Sequence, residues 1–451
     1  MTLTRQITKK NTAEVFRRAS IKRRLTGASA GYETDWFDIT NKIKSWGHIR
    51  TETEVHRFNS FRLNGLTLRV RNDDGQFNTK DDSSSLWNTF LTPYKTKVFI
   101  ETGYVDDDGV EVPGDAVRWG KFLWGNDLWG RSPVNSANFL GVLTDEIILN
   151  AKNEVLLPVK PMLSIFEDVP ATRLSGITGS QTASDIIIKI RDLVDANSVS
   201  IFGDLISTGA WDIQSTTTVY PDLNTTTAID MSIWDLMTRL AEAEAKAVWV
   251  DPDGTFHFRD RTSNQSTTAW KFSGVGTANT EYGHTIKSIN EYKETTSKIF
   301  TRLRVKINEA DTETSYRIKE ESWDVGDSST SFIYGQRTYD FENTWLNTST
   351  ADTLLTTINN ETSQAKKEIK ISSKFIPALR LFDRVEMDYV SKDVATTGSL
   401  WGNFLWGDSL WGAGGGGDVF EIRGNYTVIG FEHNLDRMES GFYLREILQG
   451  G

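Results

Sequence analysis

Trp119-Gly120-Lys121-Phe122-Leu123-Trp124-Gly125-Asn126-Asp127-Leu128-Trp129-Gly130 returns 282 positions further on as Trp401-Gly402-Asn403-Phe404-Leu405-Trp406-Gly407-Asp408-Ser409-Leu410-Trp411-Gly412, with nine of the twelve positions identical. Tryptophan recurs at every fifth residue in each copy, a step that matches neither a helix face nor one face of a strand. Each Trp is followed by glycine, which suits a chain that reverses at each Gly and stacks its indoles.

The flanks of the two copies match as well. Upstream lie Pro113-Gly114-Asp115-Ala116-Val117 and Leu381-Phe382-Asp383-Arg384-Val385. Downstream, after a short polar stretch, each copy runs into an aromatic-initiated strand with an acidic end, Phe139–Asp145 and Tyr426–Glu432. The same insertion at the same place predicts two β units of one topology. Three readings of the loops stay open: a low-complexity surface insertion, a packing element between subunits, or a sugar- or membrane-touching loop. Six clustered tryptophans in water would be an aggregation hazard, which favours cover in an assembly.

Outward from the first copy, Gly65-Leu66-Thr67-Leu68-Arg69-Val70-Arg71 alternates strictly, as a half-buried strand does, and Asn72-Asp73-Asp74-Gly75 ends it in a turn. Lys97–Thr102, Asn138–Leu143 and Glu154–Val159 are further strands, with Asp106–Gly109 turning the second of the four into a hairpin. From about residue 170 the pattern changes. Thr182–Val194 and Ser232–Lys246 have helical spacing with Ser/Thr starts. Val248–Phe258 is a hairpin about Asp251-Pro252-Asp253-Gly254. Strand pattern returns at Phe300–Ile307, a helix over Thr350–Lys367 interrupts it, and Glu368–Ser372, Arg384–Val390, Asn425–Phe431 and Gly441–Ile447 follow. These changes divide the chain into a basic arm over 1–34, with a short helix expected over Thr12–Arg24, a β unit over 35–168, an α+β unit over 169–285 and a second β unit over 286–451. The fold class expected is mainly β with an α+β insertion.

Composition limits the function. The 451 residues fit two to four domains. The chain has no cysteine, which removes disulfides, thiolate nucleophiles and cysteine-based metal sites. Its five histidines, His48, His56, His257, His284 and His433, have no zinc-chelating spacing. No apolar run has the length of a membrane span, and no signal peptide is expected. The formal charge of −11 is uneven. Arg5, Lys9, Lys10, Arg17, Arg18, Lys22, Arg23 and Arg24 stand against Glu14 alone, so the first 25 residues carry about +7 and the rest about −18. Such an arm suits docking on an acidic neighbouring surface. Nucleic-acid binding is the competing reading, which an acidic body opposes. No serine-hydrolase, P-loop or zinc-protease motif is present. Glu242 and Glu244 are expected on a polar helix face and Asp106–Asp108 in a turn, both solvated. No catalytic residue, cofactor or metal is therefore assigned, and no enzyme activity is expected.

Several stretches resemble phage minor tail proteins of the baseplate-hub type: Asp35–Thr40, Leu68–Phe77, Phe139–Val142, Ser232–Leu236 with Val250–Phe256, and Leu379–Val385 with Tyr426–His433 and Phe442–Glu446. The pattern departs at Phe382, where the family has glycine before Asp-Arg-Val. The resemblance implies two tube-type β-barrels of like topology flanking the α+β domain. It also implies a trimer whose six barrels form a pseudo-six-fold ring joining the tail tube to the tip, located in the virion tail tip. The partners it implies are further copies of the chain, as a trimer or a hexamer, and neighbouring tail-tube and tail-tip proteins. Specific nucleic-acid binding and stable membrane association are not expected. Trp119, Trp124, Trp129, Trp401, Trp406 and Trp411 are the assembly-interface residues expected. A hexameric distal tail protein, a glycan-binding module and a cell-wall hydrolase are the competing functions.

Overall fold

In Leu66–Arg71 buried and exposed residues alternate one for one, and Leu66, Leu68 and Val70 supply the core of the first sheet. The computed structural model of the chain describes residues 14–25, 31–53, 61–78, 83, 85, 86, 91, 95–105, 133–144, 147–150, 153–174, 181–193, 210–220, 231–261, 267–274, 285–308, 314–320, 333–343, 345–346, 348–390 and 421–447. Its N-terminal strands are β1 (Glu14–Lys22), β2 (Arg24–Leu25), β3 (Gly31–Tyr32), β4 (Phe37–Asp38), β5 (Ile43–Ser45), β6 (His48–Glu52), β7 (Arg62–Leu63), β8 (Leu66–Arg71), β9 (Lys97–Val105), β10 (Pro133–Leu143), β11 (Ile148–Leu149) and β12 (Glu154–Pro161). The first sheet runs β4-β1-β9-β10-β12-β8-β5, with β11 beside β12 and every pair antiparallel. The turn expected at Asp106–Gly109 lies outside the described residues.

The helix expected over Thr12–Arg24 does not form: Glu14–Lys22 is a strand held between β4 and β9. Burial decides it. Ala19 and Ile21, two apart, are fully buried on one face. Arg18 lies 3.9 Å from Asp38 on β4 and 3.9 Å from Glu101, its cross-strand partner on β9. Opposite charges set across neighbouring strands support the pairing that a helix would lose.

The middle segment holds α1 (Leu163–Asp168), the paired β13 (Gln181–Thr182) and β15 (Val219–Tyr220), α2 (Ala183–Arg191), β14 (Trp211–Ile213), α3 (Ile233–Ala243), β16 (Ala247–Val250) and β17 (Phe256–Arg259). Thr182 and Ser232 cap the two longer helices. The Ser232 hydroxyl accepts from the Asp235 N–H at 3.1 Å, and the Asp235 carboxylate accepts from the Ser232 N–H, which closes a capping box. β14, β17 and β16 form a small sheet in that order.

The C-terminal strands are β18 (Thr268–Ser273), β19 (Ile286–Thr295), β20 (Arg302–Asn308), β21 (Thr314–Glu320), β22 (Thr338–Glu342), β23 (Lys366–Lys374), β24 (Arg384–Val390), β25 (Glu421–Asn434) and β26 (Glu439–Glu446), with α4 (Thr348–Thr362) before β23. A second large sheet runs β18-β24-β25-β26-β23-β19, and β21-β20-β22 form a separate one. The chain is therefore mainly β with a few helices.

The two large sheets share a strand order. Ranked along the chain, six strands of the first (β1, β5, β8, β9, β10, β12) and six of the second (β18, β19, β23, β24, β25, β26) lie side by side as first, fourth, fifth, sixth, third, second. Corresponding pairs agree in direction except one, since β1 is antiparallel to β9 and β18 is parallel to β24. The register agrees too. The Leu143 N–H donates to the Thr96 carbonyl, and the Val428 N–H donates to the Asp383 carbonyl, each just ahead of β9 and β24. The like topology read from the duplicated loop is thus present in the strand pairing.

One segment crosses between the sheets. β6, which pairs with β7, leaves the first unit and runs antiparallel to Gly430–Asn434 of β25. β24 covers Glu421–Thr427 along the same edge, so two strands share that side of β25.

Candidate functional site

The repeated Trp-Gly segments occupy equivalent connections. The first joins β9 to β10 and the second joins β24 to β25, each an adjacent antiparallel pair. Trp119, Trp124, Trp129, Trp401, Trp406 and Trp411 themselves lie outside the described residues. Both insertions therefore arise at the same end of the same strand pair in two like sheets.

The tip of the β16–β17 hairpin is where the three parts of the chain meet. The Gly254 N–H donates to the Asp251 carbonyl at 2.8 Å, and the Thr255 N–H donates to Asp253 Oδ1 at 2.9 Å, which builds the expected tight turn. Gly254 has φ +87°, and a Cβ there would meet Leu140 Cδ2 at 3.0 Å, so both backbone and space call for glycine. The Leu140 N–H donates to the Pro252 carbonyl at 2.7 Å, tying the turn to β10 of the first sheet.

On its other side the hairpin holds the second sheet through charge. His257 lies between two carboxylates, with Nδ1 at 3.0 Å from Asp212 Oδ2 and Nε2 at 3.1 Å from Asp251 Oδ2. Arg259 donates to the same Asp212 oxygen at 2.6 Å. Arg380, just before β24, approaches Asp251 and Asp253 at 3.6 Å each. Burial alone would lower the His257 pKa, but the hydrogen bonds and charges of Asp251 and Asp212 outweigh it and raise it. Burial pushes Asp383 up to about 6, against the Arg380 N–H and guanidinium that favour its carboxylate. Arg380 thus ties the turn to the second sheet, while His257 joins Asp251 to Asp212 within the middle segment. Among the described residues no group of three or more His, Asp or Glu has metal-holding geometry.

Phe382 sits in the same junction with φ +64°. The Asp383 N–H donates to the Arg380 carbonyl, so Phe382 occupies the turn position that favours glycine. The departure from glycine noted in the sequence therefore leaves the left-handed turn in place. Packing holds it: Phe382 is buried edge-on against Trp249, with centroids 4.8 Å apart, and the Arg261 guanidinium lies 5.9 Å over its ring. Trp249 in turn stacks on His257 at 4.6 Å.

Glu242 corrects an expectation. It is not solvated but only 5% exposed, since α3 is packed on more than one side. Burial pushes its pKa up to about 7, against Arg239, the Asn343 amide 3.4 Å away and Arg261. Glu244 accepts a 2.7 Å hydrogen bond from the Tyr220 hydroxyl. The basic N-terminal residues that are described have partners within the chain. Arg17 donates to the Leu435 carbonyl at 2.8 Å, Lys22 donates to the Thr34 carbonyl at 3.1 Å, and Arg23 pairs with Glu33. Arg5, Lys9 and Lys10 lie outside the described residues.

No protein-family model matches the chain. No curated protein matches it either. Among solved structures it is similar to a tail protein from Neisseria meningitidis MC58, at 10% identity over 95% of this chain and 96% of that one, with a TM-score of 0.48. The 43 kDa tail protein of prophage MuSo2 from Shewanella oneidensis gives 10% identity, 96% and 98% coverage and a TM-score of 0.48. Prophage tail protein gp18 from Listeria monocytogenes EGD-e gives 10%, 96%, 95% and 0.45. All three of these neighbours are described as tail proteins.

Proposed function

We propose that the chain is a structural hub of a phage tail tip and not an enzyme. Two tube-type β-barrels, one on the sheet that holds β1 and one on the sheet that holds β18, flank an α+β domain. Three copies form a pseudo-six-fold ring that joins the tail tube to the tip apparatus. The observation that carries this reading is the doubled sheet, six strands in one order twice in one chain, each with the same Trp-Gly insertion. A trimer of such chains presents six sheets of like strand order and six like loops, which is what matching a six-fold tube to a three-fold tip requires. A six-fold distal protein needs one such sheet per chain.

The tryptophans Trp119, Trp124, Trp129, Trp401, Trp406 and Trp411 lie in this reading between neighbouring barrels, covered by the next subunit. The test is the symmetry of the assembled tip, determined by cryo-electron microscopy. Three-fold symmetry with two sheets per chain in the ring is expected. Six copies around the axis would instead make the chain a distal tail protein, and loops open to solvent would favour a glycan-binding module. The Trp124→Ser, Trp406→Ser double variant should fold as a monomer but assemble poorly. Normal tips from that variant would remove the loops from the interface.

A further inference from the structure

The like register of the two sheets identifies one edge that is covered in the second and, among the described residues, has no strand on it in the first. Leu143 and Val428 correspond, because each donates to the carbonyl just ahead of the preceding strand. Their partners Val159 and Leu444 then correspond, as do Val155 and Ser440 four residues earlier on β12 and β26. Val155 pairs with Leu149 and Ser440 pairs with His433, so Leu149 on β11 is the counterpart of His433 on β25. His433 is covered by β6, through its pairing with Ile49, and is 1% exposed. Among the described residues no strand pairs with the outer edge of β11, where Ile148 is 50% and Leu149 37% exposed.

The backbone of that edge is set for pairing. The Asn150 N–H donates to the Glu154 carbonyl across the β11–β12 turn. Hydrogen-bonded and non-bonded pairs alternate in an antiparallel ladder, so the Leu149 N–H and carbonyl point away from β12, toward the open side. On β25 the Leu435 N–H donates to the Gly47 carbonyl, and by the same alternation His433 two residues earlier directs its backbone groups to β6. An exposed edge with outward N–H groups and apolar side chains is a template for a further strand.

The geometry points to a strand of a second copy of this chain pairing with the outer edge of β11. The pairing inside the chain says which strand. β6 comes from the connection between β5 and β8 of the first unit, and it caps the second sheet. The matching connection of the second unit lies between β19 and β23. It holds β21, an edge strand of its own small sheet with Ile318 47% exposed. Within one chain β21 pairs with β20 and not with β11. A second copy supplies it, and repetition of that contact carries the alternation of first and second sheets from one chain to the next.

This inference rests on the self-association proposed above, and the test separates the two. Leu149→Pro removes the outward N–H, and in this register it takes no hydrogen bond from the β11–β12 ladder. Ile148→Lys is a second variant that puts charge on the edge and leaves the backbone intact. The full-length wild type and both variants are compared by light scattering after size exclusion, with circular dichroism to confirm the fold. The expected result is an oligomeric wild type and folded, monomeric variants. An oligomer that persists in both variants would overturn the edge contact and leave self-association standing. A monomeric wild type at high concentration would overturn both. The cysteine-free sequence allows a direct check with a short bismaleimide, which tolerates an offset in register. Leu149→Cys chains mixed with Ile318→Cys chains should give a cross-linked pair, and absence of that pair in an oligomeric mixture would reject β21 as the partner strand.

Discussion

The first and second large sheets have one strand order but differ in what completes them. β1 enters the first antiparallel to β9 and finds its partners locally, whereas β18 enters the second parallel to β24 after the chain has passed through the α+β segment. The second sheet also borrows β6 from the first unit, while β11 at the matching place has no strand on its outer side among the described residues. The comparison teaches that the central order β9-β10-β12-β8 tolerates changed surroundings, and that its edges are where one unit is joined to the next.

The borrowed strand should give the largest effect. Ile49 is fully buried between the sheets, and Ile49→Asp would place an unpaired charge there, at a cost of about 4 kcal/mol or more. Hydrogen exchange should show lost protection across Gly430–Asn434 with β10 unchanged. Equal loss in both sheets would mean that they are not separable in this way. Next comes the turn ahead of β24. Phe382→Gly relieves a left-handed conformation worth about 1–2 kcal/mol but forfeits packing worth about 3–5 kcal/mol, so chemical denaturation should show a net loss of roughly 2 kcal/mol. A variant as stable as the wild type would mean that Phe382 contributes nothing beyond what glycine supplies.

The smallest effect expected is in pH dependence. His257 has a raised pKa in the folded chain, so its contribution is complete below the unfolded value of 6.5 and is lost as pH rises through the folded one. Glu242, pushed up to about 7, acts in the same direction, its share being lost between the unfolded value of 4.5 and about 7. His433, held down to about 3 by burial, acts oppositely, but only at pH below its unfolded value of 6.5. Thermal stability should therefore fall as pH rises above 6.5, and His257→Gln should flatten the fall. An unchanged slope in that variant would remove the histidine from the account.

Much of this architecture was legible in the residues. Leu66–Arg71 alternates because one face is wet and the other dry. α3 carries its own start signal in Ser232 and Asp235, and Asp-Pro-Asp-Gly admits little but a tight turn. What escaped was non-local. Glu14–Lys22 carries a basic run that resembles a helical arm, and the burial of Ala19 and Ile21, with the carboxylates of β4 and β9, makes it a strand. His48–Glu52 gives no sign that its partner is β25. Glu242 looks like any surface glutamate of a helix until Asn343 and the neighbouring elements enclose it. Nor does the sequence signal the junction of His257 with Asp212 and Asp251, although Asp251 and His257 belong to a hairpin that its turn residues announce. The missing information was the third dimension on the far side of that hairpin.

The β6–β25 pairing also bears on how the protein is made. Arg17 reaches the Leu435 carbonyl across 418 positions of sequence, and β6 meets a strand near the far end of the chain. Contacts of such separation are slow to form, because a long loop must close before they reward it. A ribosome that has released only the first unit has made β6 but not its partner. The second sheet is therefore completed only once β25 has emerged, and a chain cut short before β25 leaves an unsatisfied strand ready to aggregate.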